Sequence, residues 1–263
     1  MPLTEFQREL MQLLRDHRNP NSYVAGGVAI HRSVGSPRRS EDIDFFHDTE
    51  EAVAHSAKED ISVLEHNGYK IEFLIDQPSF LRVVAHKRTG SLKLEWVRDT
   101  AFRFFPVIED PELGYRLHDV DLIVNKCIAL ANREEVRDVI DLIHLQETTL
   151  SVVSACWAAC GKDPGFTPEL LLDCMRRHST IRPERLSAED LVKPISASEL
   201  KREWLSILDQ TEDAISKFPA ADLGCLYLTR AGQVVPTPEL AQIQTYTRHF
   251  GTVGGSWPRI VAV

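Results

Sequence analysis

The sequence predicts an α+β fold, with a mixed β-sheet flanked by helices over residues 1–150 and a mainly helical region over residues 151–263. Three observations carry this. Short runs of alternating apolar and polar residues lie among stretches of helical spacing in the first half. Two of those runs are joined by "RTGS", a hairpin signal. Beyond about residue 150 the pattern changes to helices separated by Pro-containing loops.

In chain order, Thr4 to His17 places Phe6, Leu10, Leu13 and Leu14 on one helical face, with Thr4 as the cap. "SYVAGG" reads as a short buried strand ending in glycines, and "VAIHRSV" as a brief helix beginning at them. "EDIDFF" is a strand on which Ile43 faces one way and Asp42 and Asp44 the other, since side chains alternate. Asp48 to Asn67 is helical, opened by "HDTEE" and stopped by Gly68. "YKIEFLID", "FLRVVAHK" and "LKLEWV" follow as strands. Helices over Asp119 to Ala131 and Glu134 to Gln146 close the first region. In the second, "KDPGFTPE", "IRPERLSAED" and "VKPISASE" mark loops, and residues 198–217 form the clearest helix. From Pro219 onward, glycine and proline leave the tail without an assignment.

Composition narrows the function classes. Apolar residues at 43% and charged residues at 26% suit a globular chain, and no run approaches the roughly 20 apolar residues of a bilayer span. Met1 to Asn19 lacks the apolar middle and cleavage site of a secretory signal, so a cytoplasmic location is expected. Five cysteines, odd in number and without CxxC pairs, read as buried reduced thiols. The net charge of −9 argues against DNA coating, while "SPRR", "HKRTGSLK" and "MRRH" leave local RNA contact open. Histidines show no HxH or HExxH spacing, and G-x-S-x-G and Walker loops are absent.

The chemistry concentrates in "GGVAIHRSVGSPRRSEDIDFF", residues 26–46. Asp42 and Asp44, two apart on a strand, point to one side and offer hard oxygen ligands to one or two divalent cations. Gly26 and Gly27 sit where a strand turns into a helix, so backbone N–H groups there can approach a phosphate. Arg38, Arg39 and Ser40 add charge and a hydroxyl just before the acids.

This stretch resembles the GG-x-A-L…R-x-S-x-D-I-D pattern of the AbiEii/AbiGii abortive-infection toxins, a branch of the polymerase-β-like nucleotidyltransferases. "DLIVNKCIALANREEVRDVIDLIHL", at 121–145, is similar to the same family's K-x-x-A-L…R-x-x-x-R/K-D-h-x-D-L element. The resemblance covers about residues 20–147 and implies a polymerase-β-like core. It implies that Gly26 and Gly27 hold the triphosphate of an NTP, that Asp42 and Asp44 bind Mg2+, and that Arg39 and Ser40 lie near the nucleotide. Lys126 should contact phosphates, paired functionally with Asp138, while Arg133 and Asp141 complete the element or hold the helices in place. From periodicity alone, Lys126 flanks an apolar stripe of Ile123, Cys127 and Leu130 and reads sooner as a surface lysine paired with Asp138 or Glu134 than as a lysine directed into a cleft, an order that the resemblance reverses.

Such transferases place a further acid on a neighbouring strand as general base. Glu95 is the candidate, sharing a strand face with Lys93 and Val97, and Glu72 and Asp76 compete with it. The implied activity is Mg2+-dependent transfer of a nucleoside monophosphate from NTP to an acceptor hydroxyl, with release of pyrophosphate. The implied protein is a toxin acting on tRNA 3′ ends and neutralised by an antitoxin. In that case the basic clusters should line a groove beside Asp42 and Asp44. Competing readings are transfer to a small molecule such as an antibiotic, and a degenerate transferase fold serving as a binding module.

Overall fold

A computed structural model describes residues 3–32, 35–88 and 90–258. Ser33 and Val34 of "VAIHRSV" and Thr89 of "RTGS" lie outside them. The elements begin with α1 (Glu5–Leu14), β1 (Ser22–Ala25), α2 (Gly26–Ile30), β2 (Asp42–His47), α3 (Glu50–His66), β3 (Lys70–Gln77), β4 (Phe80–Lys87) and β5 (Gly90–Arg98). Next come β6 (Phe102–Arg103), β7 (Ile108–Asp110), β8 (Gly114–Arg116), α4 (Asp119–Asn132), α5 (Val136–Thr148) and α6 (Val152–Lys162). The chain continues with α7 (Pro168–His178), α8 (Pro183–Ser187), α9 (Ala197–Ile215), β9 (Cys225–Leu228), β10 (Thr247–Phe250) and β11 (Thr252–Val253).

Two compact units share these elements. Met1–Ala101, Pro106–His118 and Asp190–Val192 make the first, and Phe102–Phe105, Asp119–Glu189 and Lys193–Val263 the second. Composition divides the sequence near residue 150, whereas the units interleave along the chain. The reason is long-range pairing: Arg38 bridges to Leu191, and the Val192 amide donates to the Pro37 carbonyl at 2.8 Å.

A seven-stranded mixed sheet in the order β3-β4-β5-β2-β1-β8-β7 forms the first unit. β2 runs parallel to β5 and antiparallel to β1, which makes it an interior strand paired on both sides. β4 and β5 pair antiparallel from Phe80↔Val97 to Lys87↔Gly90, the hairpin that "RTGS" predicts. At the sheet edge, β3 carries a register shift between Phe73 and Ile75.

Alternation on β2 buries Ile43, Phe45 and His47 on the face covered by α3. There Phe45 packs on Trp96 with ring centroids 5.5 Å apart, each fully buried. Burying a side chain of this size contributes about 1.5–3 kcal/mol. Asp60 of α3 fastens the helix to the sheet: it accepts from Trp96 Nε1 at 2.8 Å and from Arg18 Nη2 at 2.6 Å.

Most predicted elements recur, with instructive shifts. Thr4 caps α1 in a capping box with Gln7. The buried face of α1 is Gln7, Leu10, Met11 and Leu14, rotated away from the predicted Phe6 and Leu13. Gln7 tolerates burial because its amide donates to the Ser40 carbonyl at 2.7 Å. Pro168 and Pro183, read as loop residues, each start a helix, where a missing N–H costs nothing. The unassigned tail contains β9 and β10, paired antiparallel from Cys225↔Phe250 to Leu228↔Thr247.

Helices α4 to α9 form most of the second unit, around an α6 buried from Val152 to Cys160. All five cysteines are free thiols, four of them buried, as expected. No helix of the described residues is long and apolar enough to cross a membrane.

Candidate active site

On the face of β2 opposite α3, the carboxylates of Asp42 and Asp44 stand beside Glu95 of β5. Parallel pairing puts Asp44 level with Glu95 and Asp42 level with Lys93. One oxygen from each of Asp42, Asp44 and Glu95 lies within 4.8 Å of the others. Glu72 and Asp76 sit on edge strand β3, separated from β2 by β4 and β5, and Glu72 pairs with His86 at 2.9 Å.

Asp42 is held from two sides. Ser40 Oγ donates to its Oδ1 at 3.1 Å, and Lys93 Nζ lies 3.0 Å from its Oδ2. Both cations on Glu95 meet the same oxygen, Oε1: Arg82 Nε at 2.9 Å and Lys93 Nζ at 3.7 Å. Sequence reasoning missed Arg82. The hairpin register carries the signal, because opposing Lys87 and Gly90 also sets Arg82 opposite Glu95.

Gly26 begins α2 with φ +65°, a conformation that an L side chain rarely adopts. A Cβ on Gly26 would fall 1.9 Å from Asp44 Oδ2, so the missing side chain is what admits the carboxylate. At Gly27 a Cβ would fall 2.5 Å from Ser40 Oγ. The sequence thus brings Gly26, Gly27, Ser40, Asp42, Asp44 and Glu95 together.

Arg39 is engaged elsewhere, its Nη1 lying 2.7 Å from Asp190 Oδ1. Most of the basic clusters are likewise spent on acids: Lys87 pairs with Glu9, and Arg176 with Asp209 and Glu212. Of these predicted groove residues, Lys93 does reach the carboxylates.

The second element forms its own cluster within the second unit. Lys126 Nζ on α4 lies 2.8 Å from Asp138 Oδ1 and 2.7 Å from Asp141 Oδ2, both on α5. Arg133 adds contacts to Asp138 at 2.8 and 3.0 Å. Lys126 is buried rather than on the surface, and both aspartates are fully buried. Burial pushes the Asp138 carboxyl up, but the Lys126 and Arg133 charges outweigh it and hold it below its ordinary value.

Acids on adjacent parallel strands, facing a strand-to-helix turn stripped of side chains, are the layout of a nucleotidyltransferase. Sequence comparison makes this specific. Residues 9–222 match the family described as nucleotidyl transferase AbiEii toxin, type IV toxin–antitoxin system, and the chain belongs to that family. It is therefore a nucleotidyltransferase of a toxin family.

Among solved structures the fold resembles that of MenT4, a nucleotidyltransferase toxin from Mycobacterium tuberculosis (TM-score 0.54, 16% identity, covering 82% of this chain and 83% of that one). A Helicobacter pylori chain assigned to the nucleotidyltransferases gives TM-score 0.51 at 19% identity, covering 82% of this chain and 98% of that one. JHP933, also from Helicobacter pylori, gives 0.50 at 18% identity, with 82% and 95% covered. No curated protein matches the sequence.

Proposed function

We propose that the chain transfers a nucleoside monophosphate from an NTP to the 3′-terminal hydroxyl of tRNA, with magnesium bound by Asp42 and Asp44. The observation that carries this reading is the close approach of Asp42, Asp44 and Glu95, whose ligand oxygens lie within 4.8 Å of one another. Three carboxylates, with no thiolate or imidazole in the set, suit a hard cation such as Mg2+. When bound, the metal neutralises phosphate charge and orients the triphosphate.

The chain's own residues do the rest. Ser40 fixes the orientation of Asp42 through its hydroxyl. Gly26 and Gly27, at the start of α2, keep the triphosphate-holding role that the family resemblance implies, through their backbone N–H groups. Glu95 takes the proton of the attacking hydroxyl through Oε2, since its two cations sit on Oε1. The acceptor oxygen then bonds to the α-phosphorus, the bond to the bridging oxygen breaks, and pyrophosphate leaves. Arg39 would reach nucleotide only by exchanging Asp190 for it. For Lys126 and Asp138 the reading keeps the phosphate-contacting pair that the family resemblance implies. A protein antitoxin as partner is what a toxin of a toxin–antitoxin family suggests, while the tRNA acceptor rests on the resemblance alone, and a cytoplasmic location is the one that fits such an acceptor.

Incubation with each labelled NTP, Mg2+ and total tRNA tests the reading. Label in RNA that disappears with Asp42→Ala is the expected result. Label in a small molecule but not in RNA would replace the acceptor, and no transfer to either would remove the proposal.

A further inference from the structure

We infer that Lys93 is a tethered counter-cation of the carboxylate cluster, one that holds off a divalent cation until nucleotide arrives and then gives up its place. The inference rests on the reading that Asp42 and Asp44 hold the metal. Lys93 Nζ lies 3.0 Å from Asp42 Oδ2 and 3.7 Å from Glu95 Oε1. It therefore touches two of the three acids from which a cation site would be made. A compact ammonium is the side chain closest in kind to a bound cation. Carboxylates this close repel one another, and Lys93 offsets that repulsion while no metal is bound.

The same surroundings let it leave. Its side chain is 31% exposed, against 8% for Asp42, so the stem can swing out while the acid stays fixed. Its strand is paired on both sides, to β2 and β4, so the motion is confined to the side chain. When it goes, Asp42 keeps its hydrogen bond from Ser40 and Glu95 keeps Arg82 at 2.9 Å. An arriving triphosphate offers the displaced ammonium new anionic partners, so nucleotide favours the exchange. Metal alone offers it none.

Mn2+ binding, followed by electron paramagnetic resonance on the full chain with and without a non-hydrolysable NTP analogue, tests this. Lys93→Met should bind Mn2+ without nucleotide roughly tenfold more tightly than wild type, as expected when one positive charge leaves a partly exposed site. With the analogue present the gap should close, and Lys93→Arg should behave as wild type throughout. Lys93→Gln carries the same expectation as Lys93→Met and replaces it if that variant does not fold. Equal or weaker nucleotide-free affinity on removing the charge would overturn the inference, as would a gain that persists undiminished with nucleotide. Asp42→Asn separates the two readings. If it leaves Mn2+ binding intact, the metal assignment fails. If it abolishes binding while removal of the Lys93 charge tightens nothing, the role of Lys93 alone fails.

Discussion

Two clusters in this chain set the same residue types at different depths. On β2 and β5, three acids stand with a part-exposed lysine against two of them and an arginine against Glu95. On α4 and α5, Lys126 and Arg133 close on Asp138 and Asp141, and both acids are fully buried. The first leaves a cation able to depart, and Asp44 fills the space that a side chain on Gly26 would take. In the second the ammonium is nearly sealed, its side chain 9% exposed. What separates the two clusters is how much of the lysine remains in water, 31% of the Lys93 side chain against 9% of Lys126.

The comparison can be broken at either cluster. The largest effect is expected from Asp42→Ala, which should cut nucleotidyl transfer by roughly 10³-fold or more, well beyond the 10–100-fold typical of losing a group that only supports a metal ligand. Its thermal midpoint should stay near that of wild type. Lys126→Met should lower both transfer and stability. Leaving Asp138 and Asp141 buried without their lysine is expected to cost about 3–5 kcal/mol in denaturant unfolding. Lost stability with normal transfer would make Lys126 a clasp between helices and remove it as a phosphate contact.

Gly26→Ala is expected next, since it forces Asp44 aside: transfer should fall by roughly 10²-fold. The conformational cost to folding is about 1–2 kcal/mol, read from the same unfolding curves. The smallest effect concerns the back of β2. Burial, and then the nearby Arg18 charge, push the His47 imidazole down to about 4 from its ordinary 6.5. The unfolded chain therefore binds the proton first, so stability is present above 6.5 and is lost as pH falls towards 4. His17, pulled up by its Asp60 hydrogen bond, adds stability as pH falls to 6.5, so its contribution is complete before that loss begins. Melting curves from pH 7 to 4 should show the decline, and His47→Gln should flatten it.

How far the sequence reached depended on the range of the interaction. A period of two puts Asp42 and Asp44 on one face whatever lies around them, and the hairpin turn sets the register that carries Glu95 and Lys93. Both are local facts. Gln7 was not legible as a core residue, because the reason for its burial is the carbonyl of Ser40, 33 residues away. The partner of Arg39 was not legible either, since Asp190 lies 151 residues on. The strands β9 and β10 are hidden for a related reason: each is four residues long, and a long irregular connection separates them.

The return of Asp190–Val192 to the first unit also bears on how the protein can be dissected. An expression fragment ending after α5 would contain every residue of the Asp42–Asp44–Glu95 cluster, and would nonetheless lack the backbone that Pro37, Arg38 and Arg39 bond to. Those three residues lead directly into Ser40 and β2. A minimal active fragment therefore has to extend at least through Val192, and a split-protein reporter cut between 150 and 189 would bring this strap in with its second half.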